Sequence, residues 1–127
     1  MAKVAISTGN APKPVAAYSQ GVRKGNIVQV AGQVGIDPET GGLAGTTVAE
    51  QARQVLANLD AVLAAAGSGA EDLVMIRAYL TDTAHFAEFN EVYNAWAREP
   101  YAARTTIYAG LAPGHLVEID ALAVLDQ

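Results

Sequence analysis

Apolar residues recur along the chain with two different periods, and the changes between them mark the elements. Residues 4–7 read as a short strand, followed by a loop in which Gly9, Pro12 and Pro14 prevent regular structure up to about Ala17. Residues 19–24 and 27–31 flank Gly25-Asn26, a pair suited to a two-residue hairpin because both tolerate positive φ. A loop with Asp37, Pro38, Gly41, Gly42 and Gly45 comes next. From Thr47 the period becomes about 3.6, with Val48, Ala52, Val55, Leu56, Leu59, Val62, Leu63 and Ala66 on one stripe. This predicts an amphipathic helix that opens on a capping box, Thr47 with Glu50, and closes at Gly67, which can take a left-handed cap.

Residues 73–80 read as a strand, and residues 84–98 as a second helix burying Phe86, Phe89, Val92, Tyr93 and Trp96, closed by Pro100. Two strands follow, residues 104–109 and 116–125, with Pro113 and Gly114 as turn residues between them. The order is β-β-β-α-β-α-β-β. Alternation of this kind predicts an α/β two-layer sandwich, its crossovers placing both helices on one face of a mixed sheet of about six strands. The other face then needs a cover, and a second copy of the chain is the simplest one, so oligomerisation follows from counting elements.

The 127 residues suit a single domain, residues 1–127, able to bury a core without staples. With no cysteine, a disulfide framework, a thiolate zinc site and a cysteine nucleophile are excluded. Thirteen acidic against eight basic residues give a formal charge of −5, and the scattered cations offer no track for a phosphate backbone. Nucleic acid is therefore not expected as a partner. Lys3, Lys13, Arg23 and Lys24 lie within the first 24 positions and read as a solvated edge. No apolar core of signal-peptide length follows Met1-Ala2-Lys3-Val4, and the longest purely apolar run, residues 61–66, cannot span a bilayer. The expected location is the cytoplasm, with no membrane partner.

Chemistry concentrates in the last strand, where Leu116-Val117-Glu118-Ile119-Asp120-Ala121-Leu122 is apolar except for two carboxylates. Such composition predicts a strand buried on both faces. Glu118 and Asp120 are two apart and share a face. Burial of an ionised carboxylate costs several kcal/mol unless it is paired, so a cation or a wet cleft is expected nearby. Arg104, at the start of the preceding strand, is the candidate; spacing leaves open whether the pair is structural or catalytic.

Other constellations are weaker. His85 and His115 each stand three residues before a glutamate, but two histidines make no metal site, and both read as surface or loop residues. Ser7, Ser19 and Ser68 lie in no nucleophile-elbow sequence. The glycines at 32, 35, 41, 42 and 45 form no phosphate loop. Asn90 borders the apolar stripe of the second helix and reads as a polar boundary residue.

Several ordered motifs together resemble the RidA (YjgF) family over essentially the whole chain. Ala17-Tyr18-Ser19-Gln20-Gly21 is similar to its Pro-Tyr-Ser-Gln-Gly entry segment, and Val30-Ala31-Gly32-Gln33 to its Ser-Gly-Gln strand end. Residues 86–93 resemble its second helix; Ala102-Ala103-Arg104-Thr105 and Val117-Glu118-Ile119-Asp120-Ala121 resemble its C-terminal signature, Pro-Ala-Arg-Ser and Val-Glu-Ile-Glu-Ala.

The resemblance implies a chorismate-mutase-like fold in which the final strand is central and antiparallel, whereas sequence proximity alone would pair it with the strand before. It further implies a homotrimer with clefts between subunits, and hydrolysis of enamine and imine intermediates such as 2-aminoacrylate and 2-aminocrotonate to 2-keto acids and ammonia. No cofactor or metal is implied. Carried over, Arg104 binds the substrate carboxylate and Glu118 orients or deprotonates the attacking water, as catalytic residues. Tyr18, Asn90, Gly32 and Thr106 line the substrate cleft, the last two through backbone groups. Ala102 departs from the pattern, as do Asp120 (usually Glu), Ala31 (often Ser) and Thr106 (Cys in some members). These changes bear on substrate preference. A trimeric module that binds small keto acids without turnover, or a pathway-specific RidA-like enzyme, are the alternatives.

Overall fold

The computed structural model describes residues 2–126. Six strands and two helices follow one another as β1 (Val4–Ile6), β2 (Gly21–Lys24), β3 (Ile27–Val34), α1 (Val48–Ala65), β4 (Leu73–Leu80), α2 (Phe86–Trp96), β5 (Ala103–Tyr108) and β6 (Val117–Val124), the order expected from the pattern. They form one mixed sheet in the order β1-β2-β3-β6-β4-β5. The final strand is central, antiparallel to both β3 and β4, and β5 runs parallel to β4 at the edge. No described helix is long and apolar enough to cross a membrane.

Local chemistry accounts for the boundaries. At the start of α1, Glu50 N donates to Thr47 Oγ1 (3.1 Å) and Thr47 N to Glu50 Oε1 (3.2 Å), the reciprocal box the sequence predicts. At its end Gly67 adopts φ 78° and Ser68 N donates to Leu63 O (2.9 Å), which ties off a terminal carbonyl. The hairpin turn between β2 and β3 places Gly25 at φ 61°. α2 is shorter than expected at both ends. A 3₁₀ turn, Thr83–His85, precedes it, with Asp82 accepting from Ala84 N, and the backbone is extended at Ala97, three residues before Pro100.

The core lies between the helices and one face of the sheet. Val28, Val30, Ile76, Ala78, Ile119, Ala121 and Ala123 meet Val55, Leu56, Leu59, Val62 and Leu63 of α1 and Phe89 of α2. Each buried Val, Leu, Ile or Phe contributes about 1.5–3 kcal/mol relative to exposure. Two polar residues of α1, Gln51 and Asn58, are buried as well, although the apolar stripe did not mark them. In α2, Phe89 and Tyr93 are buried as expected, whereas Phe86 is 39% exposed because it stands at the helix start beside Arg104.

The expectation that the last strand is buried on both faces is corrected. Val117, Ile119, Ala121 and Ala123 face the helices, while Glu118, Asp120 and Leu122 alternate onto the other face, where none of the described elements covers them. β3 also extends further than the pattern implied, to Val34. A register shift between Val30 and Gln33 absorbs an irregularity around Gly32.

Candidate active site

The carboxylates of β6 differ in their surroundings. Asp120 accepts from Arg77 Nε at 2.7 Å and from the Tyr79 hydroxyl at 2.8 Å, both on β4. Arg104 is therefore not the cation of this strand, as the sequence had suggested. β4 lies between β5 and β6 and sets Arg77 directly opposite Asp120. Asp120 raises the Tyr79 phenol above its ordinary value, chiefly through their hydrogen bond.

Glu118 stands opposite Val34 of β3 and Tyr79 of β4, half-buried, and its carboxylate takes part in no hydrogen bond among the described residues. Burial pushes this carboxyl above the ordinary carboxylate range and the neighbouring Asp120 adds to the effect, while His115 opposes it. Gly32 sits against the carboxylate so closely that a Cβ there would overlap it. The irregular segment of β3 thus gives Glu118 a side-chain-free wall, and the Gly32 backbone is open to a ligand beside the acid.

Arg104 points the other way. In parallel register it matches Ile76, whose side chain is buried under the helices, and its own side chain runs along α2. Its Nη2 donates to Asn90 Oδ1 at 2.9 Å, and the guanidinium lies 4.7 Å from the Tyr93 ring centroid, 5.6 Å from Phe89 and 5.9 Å from Phe86. Three aromatic rings and one amide oxygen hold the group at the sheet edge. The planar fork carries five N–H donors, so it can still bind a carboxylate through two of them. Thr106 follows two residues on, on the same face. Asn90 is thus more than a polar boundary residue: it orients Arg104.

Tyr18 occupies the loop before β2 and is 51% exposed. It borders a cleft of about 700 Å³ together with Val34, Ile36, Pro12 and His115. Its loop is fixed by the next motif residue but one, Gln20, which is 3% exposed. Gln20 Oε1 accepts from Thr8 N (2.7 Å), and its Nε2 donates to Thr8 O (3.0 Å) and Pro12 O (2.9 Å). Gly21 completes the segment, since a Cβ there would come within 2.9 Å of Val62 Cγ1.

The candidate residues therefore form two half-sites in one chain. Glu118 and Gly32 share the open face with Tyr18 at the adjoining cleft; Arg104, Asn90 and Thr106 share the helix side at the β5 edge. Among the described residues no group of three or more His, Cys, Asp or Glu side chains could hold a metal ion.

His115, which the sequence marks by its spacing to Glu118 and presents as a surface or loop histidine, lines the same cleft as Tyr18. Its Nδ1 is buried without a hydrogen-bond partner among the described residues, a situation that costs about 1–3 kcal/mol for an ordinary polar atom. The backbone on both sides of it is held by Gln51 of α1: Nε2 donates to Gly114 O (2.9 Å), and Oε1 accepts from Leu116 N (2.8 Å). In the sequence this segment is marked by the turn at Pro113-Gly114 and by the spacing of His115 to Glu118, and neither predicts a cleft position.

Known proteins resemble this chain in sequence and in fold. The family model described as endoribonuclease L-PSP matches residues 8–125. A RutC family protein of Pyrococcus abyssi is 41% identical over 124 residues, 97% of this chain and 98% of its own length. A rat protein named 2-iminobutanoate/2-iminopropanoate deaminase is 39% identical over 120 residues, 94% of this chain and 88% of its own. The crystal structure of RidA from an Antarctic Psychrobacter superposes with a TM-score of 0.92 at 41% identity, covering 96% of this chain and 99% of that one.

Proposed function

The chain belongs to the RidA family, whose family model carries the endoribonuclease L-PSP description, and from that premise we propose that it is a 2-iminobutanoate/2-iminopropanoate deaminase. The substrates are short 2-imino acids and their enamine tautomers, such as 2-aminoacrylate and 2-aminocrotonate, and the products are 2-keto acids and ammonia. One observation carries the reading. Glu118 is a half-buried carboxylate with no hydrogen bond among the described residues, raised by burial toward the range useful to a general base, beside the bare backbone of Gly32.

The substrate carboxylate binds the free donors of Arg104, already oriented by Asn90. Water adds to the electrophilic carbon of the protonated C=N bond, the iminium form of the substrate, and Glu118 takes one of the water protons, which leaves a neutral carbinolamine. Glu118 then gives that proton to the amine nitrogen. The C–N bond breaks as the hydroxyl oxygen forms the C=O bond, and the hydroxyl proton leaves with ammonia as ammonium. No electrons are transferred, so the chain needs no cofactor.

Arg104 and Glu118 cannot converge within one chain, because they lie on opposite faces of the sheet. We therefore place the reaction between copies of the chain, in a homotrimer whose open sheet faces are covered by one another. Tyr18, Gly32 and Glu118 come from one subunit, Asn90, Arg104 and Thr106 from its neighbour. The cytoplasm, where such intermediates escape from other enzymes, is the corresponding location. The formal charge of −5 supports a small anionic substrate held at a local cation better than it supports ribonuclease action.

The deciding assay generates 2-aminoacrylate and 2-aminocrotonate in situ and follows keto-acid release with and without the protein. Acceleration over the spontaneous hydrolysis is expected. Binding of keto acids with no acceleration would replace the enzyme with a trimeric binding module.

A further inference from the structure

We propose that Tyr93 is a positioning residue of the substrate-binding cation: its ring fixes the Arg104 guanidinium in place before a ligand arrives, and Trp96 and Asp60 are its mount. The catalytic consequence rests on the deaminase reading; the ordering of Arg104 by Tyr93 does not.

Arg104 needs such a device because of where it stands. β5 is the edge strand and pairs only with β4, so one flank of Arg104 has no strand of this chain against it. The bond from Nη2 to Asn90 Oδ1 fixes one nitrogen, but the guanidinium can still turn about that single axis. A second contact, from another direction, removes this freedom. Of the three rings around the guanidinium carbon, that of Tyr93 is nearest, at 4.7 Å against 5.6 Å for Phe89 and 5.9 Å for Phe86. Tyr93 is buried, whereas Phe86 is exposed at the helix start. Asn90 and Tyr93 are three apart on α2, so the amide and the ring act on the cation from one helix face. A ring attracts the charge through its quadrupole and offers no lone pair to the donors. It therefore restrains the cation while the N–H groups not bound to Asn90 stay available to a carboxylate.

The ring is itself held. Phe89, Tyr93 and Trp96 follow at spacings of four and three residues on α2, with ring centroids 5.7 Å apart in each successive pair, tilted by 34° and 53°. Trp96 closes the helix, one residue before the extended backbone at Ala97, at an end that would otherwise fray. Its Nε1 donates to Asp60 Oδ2 of α1 at 2.9 Å, which ties this last turn to the longer helix. A continuous ladder, Arg104 to Tyr93 to Trp96 to Asp60, thus runs from the cation on β5 to a carboxylate on α1.

The test reads the order of Arg104 directly. In protein carrying ¹⁵N-labelled arginine, the Arg104 Nε–H resonance is assigned by its loss in R104K. Its order parameter is then measured in wild type, Y93L, Y93F and W96F, each shown folded by circular dichroism. Y93L removes the ring and should lower the order parameter; Y93F keeps the ring and should restore it; W96F removes the bond to Asp60 and should lower it by less. The dissociation constant for pyruvate and the KM for imine hydrolysis should rise with the loss of order, while kcat changes little. The rise is about 2- to 13-fold, the cost of ordering one rotamer-rich side chain on binding. A merely structural role would lower activity through loss of folded protein and leave both KM and the order of Arg104 in the folded fraction unchanged. Wild-type order at Arg104 in Y93L, or in W96F where Y93L does not fold, would overturn the proposal. Lost order in these variants, when wild type hydrolyses no imine, would reject the deaminase reading and leave the ladder standing.

Discussion

Arg104 and Glu118 sit on one sheet with β4 between their strands, yet their side chains leave it in opposite directions. Arg104 lies under α2 against Asn90, and Glu118 stands on the uncovered face beside Gly32. A reaction that draws on both, as proposed, would take place where two copies of the chain meet.

Sedimentation should accordingly show a trimer at micromolar concentration. Co-refolding R104A with E118Q, each inactive alone, should restore activity in mixed trimers. Random assortment of a symmetric ring places one intact Arg104 against one intact Glu118 in about a quarter of the interfaces. No recovery in verified mixed trimers would mean that both residues act within a single chain.

The two residues should separate binding from turnover. R104A should lose affinity for pyruvate and activity together, since hydrogen bonds to a charged group contribute roughly 1.5–3 kcal/mol. E118Q should still bind pyruvate, while its rate falls by about 10² to 10⁴, the usual contribution of a positioned base. Calorimetry of pyruvate binding beside the hydrolysis assay checks both; wild-type turnover by folded, trimeric E118Q would remove Glu118 from its role.

Gly32 does not sit at positive φ, so alanine is tolerated by the backbone there. Its Cβ must nevertheless displace the Glu118 carboxylate. G32A should fold and assemble, and lose on the order of 10² in kcat, the cost of misplacing a reacting group by about an ångström.

Removal of the Glu118 charge should stabilise the fold in a defined pH window. The folded carboxyl lies above its ordinary value of 4.5, so the folded state holds the proton more tightly than the unfolded one. Stability therefore falls as pH rises from the ordinary value through the raised one. E118Q escapes that loss. Its thermal midpoint should exceed that of wild type at pH 7 and converge with it below the ordinary carboxylate range; a constant difference across pH would contradict the cause given for the shift.

Gln51 offers a stability test away from the chemistry. Q51L keeps the side chain's size but leaves the Gly114 carbonyl and the Leu116 amide without the partner they have in the core. Urea denaturation should show a loss of roughly 2–6 kcal/mol, from about 1–3 kcal/mol for each of the two groups left unpaired.

Local rules written in the sequence decided much of this protein. The capping box at Thr47 and Glu50, the terminating Gly67 and the 3.6-residue stripe between them fix α1, because each acts over a few residues. The two-residue spacing of Glu118 and Asp120 likewise put both on one face. The motifs around Tyr18, Gly32, Arg104 and Glu118 identified the family, and with it the central place of β6. What local rules could not decide is which groups meet across the sheet. The partner of Asp120 proved to be Arg77, 43 residues away, because β4 inserts between β5 and β6, and no periodicity within a strand encodes its neighbour. The burial of Gln51, Asn58 and His115 Nδ1 was equally hidden, since a polar residue enters a core only where distant backbone groups or a cleft await it. Side-chain direction on a strand is a local property, whereas strand order and packing arise from the cooperative burial of apolar faces. The separation of Arg104 from Glu118 depends on both, and only the folded chain displays it.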